Sequence, residues 1–251
     1  MFAIVLNRRD YREYDQVITL YTREHGRMDL LSRGVKKIVS KNTAHLEPFS
    51  LIQVESTPGK EYGYITKVYS IEYFSGIRSH LEKSLVAQYV VGVLVRLLQH
   101  NEADEQIFDL VQNFLFYLEK MDSSEHVAFF LDIFFLKFFS LLGFAPVTDR
   151  CVVSNTLFSE FKKDEDFGFY FAGGGIVTNS IMEEKKKVGE QILLMNRPQL
   201  FLLKLFLEKG FSAFEFDFFD LKVATTLHKT VYEYVLYHNE YELRDWSRLN
   251  F

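Results

Sequence analysis

Cysteine is nearly absent: Cys151 is the one thiol in 251 residues, so no intrachain disulfide can form and a disulfide framework is excluded. Catalytic signatures are missing too. The seven histidines are scattered, and neither His-Glu-x-x-His nor Gly-x-Ser-x-Gly occurs. Gly173-Gly174-Gly175 lacks the strand-to-helix setting and the Lys-Ser/Thr of a phosphate loop and reads as a turn. Glu102-Asp104-Glu105 and Asp164-Glu165-Asp166 read as exposed loops, without the spacing and glycine of a calcium loop. No uninterrupted apolar run suits a bilayer. Val127 to Phe144 comes nearest, but Asp132 and Lys137 break its middle at roughly 2.5–3.5 kcal/mol each on insertion scales, so a buried core helix is expected. The opening MFAIVLNRRD has no positive region ahead of an apolar core and is not read as a secretory signal. These absences predict a soluble, cytoplasmic chain that is not an enzyme, holds no cofactor and has no membrane partner.

What is present is apolar and aromatic: 48% hydrophobic residues and 26 phenylalanines, enough for one large domain or two modest ones. The net charge of −5 is unevenly spread. Residues 1–79 hold 12 Lys/Arg against 9 Asp/Glu, leaving 17 against 25 for the rest. A basic working face and an acidic remainder would give this split, as would plain surface solvation.

The N-terminal stretch is the most informative. Phe2–Leu6, Gln16–Thr22 and Met28–Ser32 read as strands, with Glu24-His25-Gly26-Arg27 turning between the last two. Residues 34–44 form a basic loop. Phe49–Glu55 and Tyr62–Glu72 add two strands around the turn Thr57-Pro58-Gly59-Lys60. Five short strands in about 75 residues suit a small barrel such as an OB-fold. A single-stranded nucleic-acid site needs cations along a backbone track and aromatic faces for bases. Arg8, Arg9, Arg23, Arg27, Arg33, Lys36, Lys37 and Lys41 supply the first, and Tyr11, Tyr14, Tyr21, Tyr62 and Tyr64 the second. Asp10, Glu13 and Asp15 are expected to pair with some of these cations.

Three blocks in this stretch, Asn7-Arg8-Arg9-Asp10-Tyr11-Arg12-Glu13-Tyr14-Asp15, Tyr21-Thr22-Arg23-Glu24-His25-Gly26 and Arg33-Gly34-Val35-Lys36-Lys37, resemble the N-terminal signature of the RecO family of recombination mediators. The resemblance implies an α+β chain of two parts: an OB-fold over residues 1–79 and a helical domain over 80–251. It implies annealing of single-stranded DNA, with duplex DNA as a further ligand, and recombinase loading with RecR on DNA coated by single-stranded DNA-binding protein. That coating protein's acidic tail would need an apolar groove flanked by cations, for which Lys137 and Arg150 are candidates. An alternative is a protein adaptor whose OB-fold has little DNA binding.

Many members of this family carry a zinc-binding insert where residues 146–181 lie. Here the first Cys-x2-Cys pair reads Cys151 and Ser154, and the second falls on Thr178 and Ile181. No histidine lies between His126 and His228, so four zinc ligands cannot be assembled and no metal is predicted. Phe158, Phe161, Phe167, Phe169, Tyr170 and Phe171 are expected to hold a hairpin there by aromatic packing instead.

After Gly76 the period becomes helical. Leu81, Leu85, Tyr89, Val93 and Leu97 recur every fourth residue, and Ile107, Leu110, Val111, Phe114 and Leu118 mark a second amphipathic helix. Ser123-Ser124-Glu125 offers a cap for the Phe-rich helix. Residues 183–195, 198–209 and about 218–238 read as further helices. The segment through Trp246 resembles the family's ending and is expected to pack back on the bundle.

Overall fold

Alternating β-branched and aromatic residues between turn formers build the first half of the chain. The computed structural model describes residues 1–37, 43–121, 127–163, 165–211, 220–239 and 241–248. Strands β1 (Phe2–Asp10), β2 (Gln16–Thr22), β3 (Gly26–Ser32), β4 (Leu51–Thr57) and β5 (Gly63–Glu72) close a barrel in the order β1-β2-β3-β5-β4. Every pairing is antiparallel except β3–β5, which is parallel through Leu30–Gly63 and Leu31–Tyr64. This is the expected OB-fold. A bulge between Val5 and Asn7 bends β1, as closure of so small a barrel requires. Val5, Ile18, Leu20, Leu30, Ile52 and Val54 fill the interior. Gly26 turns the β2–β3 hairpin at φ +69°, where a Cβ would lie 2.0 Å from the Glu102 carbonyl oxygen.

Contacts divide the chain into two units, Met1–Ser124 and Glu125–Asn250. The change from β to α near residue 79 therefore lies inside the first unit, which also holds α1 (Ser75–Ser79), α2 (Leu81–Leu97) and α3 (Glu105–Lys120). Asp104 is not a free loop acid: it caps α3, accepting from the backbone N–H of Gln106 at 2.8 Å and Ile107 at 3.0 Å. The buried face of α2 also differs from the expected one. Val86, Ala87, Val90, Val91, Val93 and Leu94 are buried, whereas Leu81 and Leu85 are exposed. A strict four-residue spacing advances 40° per step and winds off any one face; the true face follows i, i+3, i+4.

The second unit is organised by α4 (Val127–Leu141), which contacts α6 (Arg197–Glu208) and α7 (Leu221–Tyr237). Phe130, Phe134, Phe135, Phe138 and Phe139 are all buried. Among the described residues no helix is long and apolar enough to cross a membrane. β6 (Phe167–Tyr170) pairs with β7 (Gly175–Thr178) in the expected hairpin, and aromatic packing supports it: Phe158 lies 5.3 Å from both Phe161 and Phe167.

The predicted helix over 183–195 is corrected. Helix α5 spans Asn179–Lys187, Gly189 at φ +83° ends it, and Ile192–Met195 becomes β8, paired with the other edge of β6. An open edge on β6 outweighed the weak helical pattern of four apolar residues. The proposed Ser123-Ser124-Glu125 cap and the first residues of the 218–238 helix lie outside the described residues.

Asp132 proves to be more than an interruption of an apolar run. It is fully buried, and its Oδ1 accepts from Trp246 Nε1 at 2.7 Å and lies 2.8 Å from His228 Nδ1. His228 Nε2 lies 3.0 Å from Asp245 Oδ1. The tail thus packs back on its bundle through a buried polar clasp.

Candidate nucleic-acid interface

Strand register brings three segments to one end of the barrel. Asp10 pairs with Gln16, Gln16 with Ser32, and Leu31 with Tyr64. The β1–β2 loop, the residues after β3 and the β4–β5 turn therefore share a rim.

Five cations and four tyrosines meet there. Arg9 donates to Tyr62 Oη at 2.9 Å, its guanidinium 5.6 Å from that ring. Arg33 lies 4.2 Å from the Tyr64 ring, Arg12 5.2 Å from Tyr11, and Lys37 5.5 Å from Tyr14. Lys36 pairs with Asp10 at 2.8 Å, and that hydrogen bond, with a second from Gln16, lowers the Asp10 pKa. The segment carrying Arg33 and Lys36 is tied down, since Gly34 N donates to Asp15 Oδ1 at 2.8 Å and Lys36 N to the Tyr14 carbonyl at 3.1 Å. Exposed cation–π contacts are worth about 0.5–1 kcal/mol, so a guanidinium can leave its ring for a phosphate at small cost.

The other candidates stand elsewhere. Arg8 pairs with Glu47 at 2.6 Å. Arg23 pairs with Asp109 and lies 4.9 Å from the Phe108 ring. Arg27 donates to the carbonyls of Val95 at 2.6 Å and Leu98 at 3.0 Å, closing the end of α2. Arg23 and Arg27 flank the β2–β3 turn, at the opposite end of those strands from the rim. Tyr21 is corrected as a stacking platform: it is fully buried, its hydroxyl donates to the Asp104 carbonyl at 3.3 Å, and burial pushes its pKa up to about 12. Lys41 lies outside the described residues. In the second unit, Lys137 donates to the Leu207 carbonyl at 2.9 Å, and burial lowers its pKa. Arg150 is hydrogen-bonded to its neighbour Asp149 at 2.8 Å, which raises the Arg150 pKa. Sequence reasoning left Arg12 out of the site, although it stands in the same block as Arg9.

Zinc does not fit the residues of the insert. Cys151 is buried and accepts the Ser154 N–H at 3.4 Å. Burial raises its pKa, but hydrogen bonds to the sulfur, led by Ser154, outweigh that and lower it. The companion positions are a hydroxyl at Ser154, which bonds Thr156 Oγ1 at 2.8 Å, the hydroxyl of Thr178 and the hydrocarbon of Ile181. One thiol cannot hold a tetrahedral structural zinc.

These features define an OB-barrel protein with a helical unit that carries a small three-stranded sheet. The chain belongs to the RecO family: residues 1–74 match the family described as Recombination protein O N terminal, and residues 78–247 that described as Recombination protein O C terminal. It is 35% identical over 149 residues to the DNA repair protein RecO of Pelotomaculum thermopropionicum, covering 59% of this chain and 57% of that protein. To the protein of the same name from Caldanaerobacter subterraneus it is 27% identical over 210 residues, covering 82% and 81%. To that of Bacillus pumilus it is 29% identical over 152 residues, covering 60% and 57%.

Proposed function

We propose that this protein is a mediator of homologous recombination in DNA repair, binding and annealing single-stranded DNA at the barrel rim. The reading rests chiefly on the grouping of Arg9, Arg12, Arg33, Lys36 and Lys37 with Tyr11, Tyr14, Tyr62 and Tyr64. DNA work belongs to residues 1–79. The cations neutralise phosphates and release counterions, while the tyrosines take base faces. Screening the repulsion between two strands lets complementary sequences pair, with no covalent step. Duplex DNA binds the same cations without the stacking.

Family membership supports a shared task with RecR in loading recombinase on DNA coated by single-stranded DNA-binding protein. Of the two cations suggested for that protein's acidic tail, Arg150 is the better anchor. It is exposed near Val153 and Leu157 in sequence, whereas the Lys137 ammonium is spent on a backbone carbonyl.

The test is annealing of complementary oligonucleotides by Tyr62→Ala and Tyr64→Ala. Each lost stack should cost about 1–3 kcal/mol of strand affinity, slowing annealing in parallel. The adaptor reading draws on Tyr69, Ile71 and Tyr73, spaced by two along and just beyond β5 and all exposed. Annealing untouched by both tyrosine variants and by Arg33→Glu would favour it.

A further inference from the structure

Beside the rim lies a groove of about 540 Å³ whose chemistry opposes that of the rim itself. Met28, Leu30 and Pro58 give it apolar surface, Tyr62 an aromatic wall, and Asp29 and Glu61 two carboxylates, with Asn101 alongside. Its size falls within the range of small-molecule sites, about 300–1,000 Å³. The carboxylates are partly engaged: Asp29 accepts from Thr19 Oγ1 at 2.7 Å and Glu61 from Tyr11 Oη at 3.2 Å. A carboxylate offers about four acceptor positions, so both keep capacity for a further donor.

Arg9 stands between the two environments. It donates to Tyr62 and lies 4.0 Å from Asp29, and both residues line the groove. A phosphate held by Arg9 would be repelled from the groove by Asp29 and Glu61. A nucleobase would not, because it is uncharged, presents a flat face to Tyr62 and carries N–H donors that carboxylates accept. We propose that this groove receives one unstacked nucleobase of a bound single strand and selects a base whose pairing edge carries an amino group, guanine foremost. Guanine can give two parallel N–H bonds, from N1 and N2, to one carboxylate. Thymine has a single ring N–H and no amino group. The inference rests on the strand-binding reading above and adds to it a base-selective position.

The experiment compares a thymidine 20-mer with the same oligomer carrying one central guanine, by fluorescence anisotropy on the full chain. The guanine oligomer should bind about tenfold tighter, the discrimination expected of a bidentate base contact. Glu61→Gln and Asp29→Asn should bring that ratio close to one. Asn101→Gly, which suits the backbone at φ +60°, should narrow it without strain. Equal binding of both oligomers by the wild type overturns the groove proposal and leaves strand binding standing, as does a guanine preference that survives both carboxylate variants. Failure to bind either oligomer overturns both.

Discussion

Removing His228 should unlatch the tail of the second unit at a cost that can be worked from its surroundings. Asp132 has no exposed surface, and its Oδ1 meets His228 Nδ1 at 2.8 Å and Trp246 Nε1 at 2.7 Å. The other oxygen, Oδ2, has no hydrogen-bond partner among the described residues. His228 faces Asp245 through its second nitrogen, and Asp245 in turn holds Ser247 at 2.9 Å and Arg248 at 3.2 Å. Both ring nitrogens can donate to carboxylates only in the imidazolium form. Burial opposes that charge, but the hydrogen bonds and charges of Asp132 and Asp245 outweigh it and raise the His228 pKa above 6.5. His228→Ala leaves a buried carboxylate without its cation, a change that costs about 3–5 kcal/mol. Asp132→Ala should cost a similar amount, and the double variant about 0.5–3 kcal/mol less than the sum. Trp246 is the one tryptophan of the chain, so urea unfolding followed by its fluorescence reports on the clasp directly. A group with a raised folded pKa stabilises fully below its unfolded value and loses that contribution as pH rises through the folded value. The wild type should therefore weaken as pH climbs above about 6.5. In His228→Ala the loss should begin at lower pH, because burial already raises the Asp132 pKa above 3.8 and the imidazolium no longer offsets it. A His228→Ala protein within 1 kcal/mol of the wild type, or strictly additive single variants, would refute the reasoning.

Three further outcomes are expected. Arg27→Met should lower stability in urea by about 1.5–3 kcal/mol, the worth of hydrogen bonds from a charged donor, while leaving the salt dependence of DNA binding unchanged. Gly26→Ala should destabilise by at least about 1 kcal/mol, because its φ of +69° and the Glu102 carbonyl leave no place for a Cβ; thermal melting reads the loss. Chelator treatment should leave the melting temperature where it was, and a fall of several degrees would show that a metal holds the insert after all.

Local pattern carried the barrel further than the helices. The run from Gln16 to Thr22 was legible to its end residues because β-branched and aromatic residues fill it between polar flanks. The rim was legible through its cations and tyrosines, yet only register separates Arg9 and Arg33 from Arg23 and Arg27: composition cannot say which end of a strand a side chain occupies. Tyr21 looked like its neighbours Tyr11 and Tyr14, but it is buried and hydrogen-bonded to the Asp104 carbonyl, a residue 83 positions away. For Ile192–Met195, pairing with β6 decided the outcome, and such tertiary partners leave no periodic trace in four residues. The Asp132 clasp joins positions 132, 228 and 246, too far apart for any spacing rule to connect.

The central claim is that the barrel rim holds a DNA strand by its phosphates, and the salt dependence of affinity tests it most directly. Single-stranded DNA binding would be measured across a salt series for the wild type and for the triple variant Arg33→Ala/Lys36→Ala/Lys37→Ala. With about 0.7 of slope per phosphate on a log–log plot, three lost contacts should shrink the slope by roughly 2. An unchanged slope, or no measurable binding by the wild type at low salt, would contradict the account.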